Sequence, residues 1–96
     1  METTTKMTRA EVVERVLFFL ELITVSKDLT QELLDDAIDR AREEFWGLVD
    51  TGIIGYWNFK RLWQLVRRGA DHEFFGFEPL PKTKRERAKL VRKALN

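Results

Sequence analysis

The sequence predicts an all-α fold, a compact bundle of about four helices. Apolar residues recur at helical spacing in four separate segments. Thr-x-x-Glu capping boxes stand in front of two of these segments, at Thr8 and at Thr83. The 96 residues are 44% hydrophobic and 34% charged, as in a single globular domain. We therefore expect a flexible N-terminal tail over residues 1–8 and one helical domain over residues 9–96.

The first helix is expected over residues 9–26, because Thr8 and Glu11 form a capping box ahead of an apolar stripe. The stripe comprises Val12, Val16, Phe19, Leu20 and Ile23. Further apolar residues make the second half of the helix apolar nearly all round, which is typical of a central helix or of one covered by another subunit. Phe18, Leu22 and Val25 are therefore a candidate oligomer interface. A β-strand over residues 16–25 is the alternative, since short apolar runs are ambiguous.

The second helix is expected over residues 31–50, with Thr30 as its N-cap. Its apolar face comprises Leu34, Ala37, Ile38, Ala41, Phe45 and Leu48. The opposite face is an acidic stripe of Glu32, Asp35, Asp36, Asp39 and Glu43. A turn over Gly52-Ile-Ile-Gly55 follows.

The third helix is expected over residues 57–68, with Gly69 as its stop signal. Residues 70–82 contain both prolines of the chain, so we expect a loop that its phenylalanines attach to the body. The fourth helix is expected over residues 84–95, opened by a capping box of Thr83 and Glu86. Its outer face is a basic stripe of Arg85, Lys89, Arg92 and Lys93.

The charge of the chain is divided between its two halves. Residues 10–50 carry eleven acids and four bases, whereas residues 51–96 carry eleven bases and four acids. Such asymmetry has two interpretations. The acidic and basic stripes attract each other inside one fold, or the basic stripe is a surface for an acidic partner.

The residue types present argue against an enzyme. The chain has no cysteine, one histidine (His72) and one serine (Ser26). Disulfides, thiol nucleophiles and multi-histidine metal sites are thereby excluded, and a Ser-His-Asp triad would need distant residues to converge. No phosphate-binding or dinucleotide motif is present. We therefore expect no catalytic residues, no cofactor and no metal.

The most apolar run, residues 16–25, is about half the length of a membrane-spanning helix, and Glu21 interrupts it. It also lacks the features of a secretory signal. The expected location is therefore the cytoplasm of the cell or of a host cell, with no membrane partner.

These patterns favour a non-enzymatic binding protein, a regulator or inhibitor that docks on an acidic protein or nucleoprotein. By analogy, such a regulator or inhibitor would resemble the small phage- or plasmid-encoded proteins that block host machinery. The candidate binding residues are Arg85, Lys89, Arg92, Lys93, Lys60, Arg61, Arg67, Arg68, Tyr56 and Trp57. The first alternative is a DNA- or RNA-binding protein with little sequence preference, forming a dimer through its first helix. The second alternative is a structural subunit of a larger assembly.

Overall fold

The computed structural model describes residues 7–96, which form four α-helices. These are α1 (Arg9–Lys27), α2 (Gln31–Asp50), α3 (Tyr56–Phe75) and α4 (Lys84–Ala94). The all-α prediction is confirmed, and the alternative strand over residues 16–25 is wrong because that segment lies inside α1. The predicted tail lies outside the described residues except for its last two positions.

The helix starts follow the predicted capping chemistry. At α1, Thr8 Oγ1 accepts a hydrogen bond from the Glu11 amide at 3.1 Å, and Glu11 Oε1 accepts one from the Thr8 amide at 2.7 Å. At α4, Thr83 Oγ1 accepts from the Glu86 amide at 3.2 Å. The Glu86 carboxylate accepts from the Thr83 hydroxyl instead of the backbone amide. Only the first half of the second capping box therefore forms.

The third helix runs further than the sequence predicts. α3 continues through Gly69 to Phe75 with a kink at Asp71, where φ is −161° and ψ is 74°. The predicted loop over residues 70–82 is therefore wrong for residues 70–75. Gly69 is a packing site rather than a stop, because a Cβ there would lie 3.0 Å from Leu80 Cδ1.

After the kink, the Asp71 carboxylate accepts a hydrogen bond from the Phe74 amide at 3.1 Å and caps one more helical turn. The actual stop is Gly76, which has a left-handed φ of 74°. The Phe77 amide donates to the His72 carbonyl at 2.9 Å, which completes a Schellman motif. The irregular connection to α4 therefore begins at Gly76, not at Ala70.

Consecutive helices run antiparallel. Arg15 near the start of α1 pairs with Glu44 near the end of α2 at 2.9 Å. Asn58 near the start of α3 donates to the Ala94 carbonyl at the end of α4 at 3.1 Å. Helix α1 packs against all three other helices, and α3 packs against α2 and α4. Because α2 and α4 make no contact with each other, they occupy opposite corners of the bundle.

The core lies between the apolar stripes that the sequence predicts. Its largest fully buried side chains are Phe45, Leu20, Ile23, Leu62, Val16, Val66 and Val91. All four helices contribute buried residues, and α1 contributes the most. This arrangement leaves the outer faces of α2, α3 and α4, and part of α1, exposed.

Candidate docking surface

The basic stripe of α4 lies on the outer face of the bundle. Its four members, Arg85, Lys89, Arg92 and Lys93, are all exposed. Val91 and Ala94 on the other side of the helix are buried, so the packing of α4 fixes the direction of the stripe. Residues 82–96 carry seven bases and a single acid. This end of the chain therefore presents concentrated positive charge to the solvent.

The structure does not join the acidic and basic stripes. Two acids of the α2 stripe pair with bases of the same helix, Asp36 with Arg40 at 3.0 Å and Asp39 with Arg42 at 3.3 Å. Within residues 7–96, no ion pair links α2 to α4, and the two helices lie at opposite corners. The bundle therefore has an acidic side at α2 and a basic side at α4.

Two of the predicted binding arginines hold parts of the fold together. Arg61 donates to the Ala94 carbonyl at 3.1 Å and to the Asn96 carbonyl at 2.7 Å, which satisfies acceptors left open at the end of α4. Arg68 donates to the carbonyls of Glu78 at 2.8 Å and Pro79 at 3.1 Å. These guanidinium groups position α4 and the connection that precedes it.

The other two predicted cations of α3 lie beside exposed rings. Lys60 Nζ is 5.7 Å from the ring centroid of Tyr56 and 5.8 Å from that of Trp57. Arg67 Cζ lies 5.3 Å from the ring centroid of Phe75. At these distances the cations are attracted to the ring faces. Helical spacing places Lys60 and Arg67 on one side of α3, and both are exposed.

Tyr56 and Trp57 belong to an aromatic cluster at the α2–α3 end of the molecule. Trp46 of α2 lies edge-on to Tyr56 and Phe59, with centroid distances of 6.4 and 5.3 Å. Tyr56 in turn lies 5.6 Å from Trp57. Trp57 is 67% exposed, and Tyr56 and Trp46 are about half exposed. We call Tyr56, Trp57, Lys60, Gln64 and Arg67 the α3 ridge.

Sequence reasoning missed three exposed aromatic residues. Trp46 interrupts the apolar spacing of α2, and that mismatch is the signal that could have identified it as a surface residue. Phe74 and Phe75 are expected to attach a loop to the body, but Phe74 is 78% exposed. They follow the kink at Asp71, whose effect on the direction of α3 is not readable from periodicity.

The candidate oligomer interface is exposed on α1. Phe18 is 58% exposed and Val25 is 50% exposed, while Leu22 between them is half-buried. The rest of the apolar circumference of α1 is covered by α2, α3 and α4. The bundle therefore covers most of this helix but leaves this one side open.

The two residues considered for a catalytic triad, Ser26 and His72, lie on different helices. Ser26 is buried in α1, and His72 is half-buried near the kink of α3. Over residues 7–96, no group of three or more His, Asp or Glu side chains is placed to hold a metal ion. No helix in this range combines the length and the apolar character needed to cross a bilayer.

The α4 stripe and the α3 ridge are two exposed surfaces supported by helices. The α4 stripe presents positive charge, and the α3 ridge presents aromatic rings with cations beside them. Both are built on elements whose inner faces are buried in the common core. Comparison of the chain with protein-family models, with curated proteins and with solved structures gave no match.

Proposed function

We propose that the protein is a non-enzymatic binding protein, a regulator or inhibitor that docks its basic surface onto an acidic surface of a partner protein. The observation that carries this proposal is the position of the α4 stripe. Its four cations are exposed at the corner of the bundle opposite the acidic helix α2. A helix that neutralised α2 internally would leave little charge for a partner.

The two surfaces would contribute differently to binding. Exposed like charges raise the association rate for an oppositely charged partner and help to orient it. Aromatic residues at the centre of an interface supply most of the affinity. We therefore assign steering to Arg85, Lys89, Arg92 and Lys93, and anchoring to Trp57 and Tyr56. Arg61 and Arg68 support these surfaces through their hydrogen bonds to the backbone.

Charge reversal on α4 tests the proposal. The double variant Arg85→Glu/Lys89→Glu should lose the proteins that the wild type captures from nuclease-treated lysate. The matched control is Arg40→Glu/Arg42→Glu, which changes the net charge equally but lies on α2. The control should retain the same proteins, identified by mass spectrometry, because its substitutions lie at the opposite corner.

Equal loss of binding by both variants would indicate a response to net charge and would contradict a defined α4 surface. Retention by both would contradict the proposal itself. Circular dichroism on each variant checks that the helical content is unchanged. These side chains are exposed, so the fold should tolerate the substitutions.

The α3 ridge favours direct nucleic-acid binding as a second candidate function. Trp57 exposes a ring on which a base could stack, with Lys60 beside it. No acid occurs between residues 56 and 70. No carboxylate in this part of α3 therefore competes with phosphate groups for the cations of the ridge. A single-stranded nucleic acid is the form whose bases are accessible to such a ring.

Salt titration with labelled single-stranded and duplex oligonucleotides tests this candidate. With about four to eight phosphate contacts, the log–log slope of affinity against salt should be roughly −3 to −7. Trp57→Ala should weaken single-strand binding more than duplex binding, because only the single strand stacks on the ring. An absence of binding at low salt would eliminate this candidate and leave the protein-docking proposal standing.

A further inference from the structure

A surface cavity of about 220 Å³ lies where the end of α1, the second half of α3, the connection before α4 and α4 itself meet. Three of its lining residues converge at Gly69, where a Cβ would lie 3.0 Å from Leu80 Cδ1 and 3.7 Å from Thr24 Oγ1. Pro79 lines the cavity next to Leu80. The connection therefore supplies an apolar part of the lining, packed closely against α1 and α3.

Basic side chains from four segments surround this cavity. They are Lys27 at the end of α1, Arg68 and His72 of α3, Lys82 of the connection, and Arg87 of α4. Asp28 is the single acid among the described residues that line it. Within residues 7–96, none of the five basic side chains forms an ion pair. The chain therefore concentrates positive charge around the cavity without neutralising it.

Both arginines are held in place and still have unused donors. Arg68 donates through Nε to the Glu78 carbonyl at 2.8 Å and through Nη2 to the Pro79 carbonyl at 3.1 Å. Arg87 donates through Nε to the Pro81 carbonyl at 2.6 Å. In the described part of the chain, Nη1 of Arg68 and both Nη groups of Arg87 make no hydrogen bond. Groups that are already fixed lose little conformational freedom when they bind a ligand.

The lining indicates the chemical class of the ligand. Guanidinium groups match the oxygen atoms of phosphates and carboxylates. Four lysine and arginine side chains against one acid favour a phosphate monoester, whose charge is about −1.5 to −2, over a singly charged carboxylate. Pro79 and Leu80 offer apolar surface to an organic group. The volume is below the about 300–1,000 Å³ of drug-sized ligand sites, so the ligand is small.

We infer that this cavity binds a small organic phosphate, with the phosphate group on Arg68 and Arg87 and the apolar part against Leu80. The inference goes beyond the proposed function, because the cavity includes no member of the α4 stripe or the α3 ridge. A ligand held there contacts α1, α3 and α4 together. It therefore stabilises the fold while the docking surfaces remain exposed.

Titration of the full chain with phenyl phosphate, followed by NMR, tests the inference. Binding should saturate with a dissociation constant below about 1 mM, and the largest amide shifts should be at Gly69 and Leu80. Phenol and inorganic phosphate should each bind at least about tenfold more weakly, because each lacks one half of the ligand. Absence of saturation, equal binding of either comparator, or largest shifts on the α4 stripe would overturn the inference.

Variants of exposed charges around the cavity give effects of opposite sign. Lys27→Gln and Lys82→Gln should each weaken phenyl phosphate binding about fivefold, because each removes one nearby cation. Asp28→Asn should strengthen it, since the single acid is lost. Lys89→Gln is the matched control, an exposed cation of α4 that does not line the cavity. Weakening by the control equal to that of the lysine variants, or weaker binding by Asp28→Asn, would overturn the inference.

Thermal unfolding provides an independent measurement, because a ligand that binds only the folded state stabilises it. Phenyl phosphate at about ten times its dissociation constant should raise the midpoint by at least about 5 °C. At the same ligand concentration, the rise should fall to about 1 °C in the double variant Lys27→Gln/Lys82→Gln. An equal rise in this variant would overturn the inference. The substituted side chains are exposed, so the variants should fold.

Discussion

Individual arginines in this protein divide between holding the fold and facing the solvent. Arg61, Arg68 and Arg87 each donate to a backbone carbonyl outside their own helix. Arg85 and Arg92 are exposed on the outer side of α4. Periodicity predicts the second group well, because a face is a property of spacing. It does not identify the first group, since the acceptors are carbonyls whose positions depend on the folded chain.

The Arg61 hydrogen bonds provide a prediction at the scale of one residue. Arg61→Ala should lower the free energy of unfolding by about 1 kcal/mol, because two carbonyls at the end of α4 lose a charged donor. Chemical denaturation measures the change. Lys60→Ala is the control and should alter stability by less than about 0.5 kcal/mol, as exposed substitutions usually do. Equal losses in both variants would show that the hydrogen bonds of Arg61 contribute nothing specific.

At the scale of elements, the sequence predicts where helices begin better than where they end. Thr8, Thr30 and Thr83 mark three starts, because an N-cap is a local hydrogen bond made by a short side chain. The predicted end of α3 is wrong because a glycine can either make room for a neighbouring side chain or end a helix. At Gly69 the missing side chain makes room for Leu80, and only at Gly76 does it permit a left-handed backbone.

The glycines therefore give opposite predictions for the same substitution. Gly47→Ala should raise the free energy of unfolding by about 0.5–1 kcal/mol, since it lies inside α2 with open space around its Cβ position. Gly76→Ala should lower it by about 1–2 kcal/mol, because alanine is strained at a φ of 74°. Thermal and urea unfolding measure both. Stabilisation by both substitutions would contradict the assignment of Gly76 as the stop of α3.

For the whole molecule, the sequence predicts the fold class, the core faces and the presence of two charged stripes. It does not predict that the stripes are separated, because the packing order of the helices decides this. Helix α1 lies between α2 and α4 and contacts both, so the acidic and basic helices never meet. Helix packing likewise divides the aromatic residues between the core and the surface. Phe45 is fully buried, while its neighbour Trp46 joins the exposed cluster with Tyr56.

The thermal midpoint of Arg85→Glu/Lys89→Glu tests most directly whether the α4 stripe is available for docking. A loss of 1 kcal/mol shifts the midpoint of a domain of this size by roughly 4–8 °C. Exposed charges contribute little to stability, so we predict a change of less than about 2 °C at low salt. A fall of more than about 5 °C would show that these cations stabilise the fold by pairing with its acids, and would contradict the account.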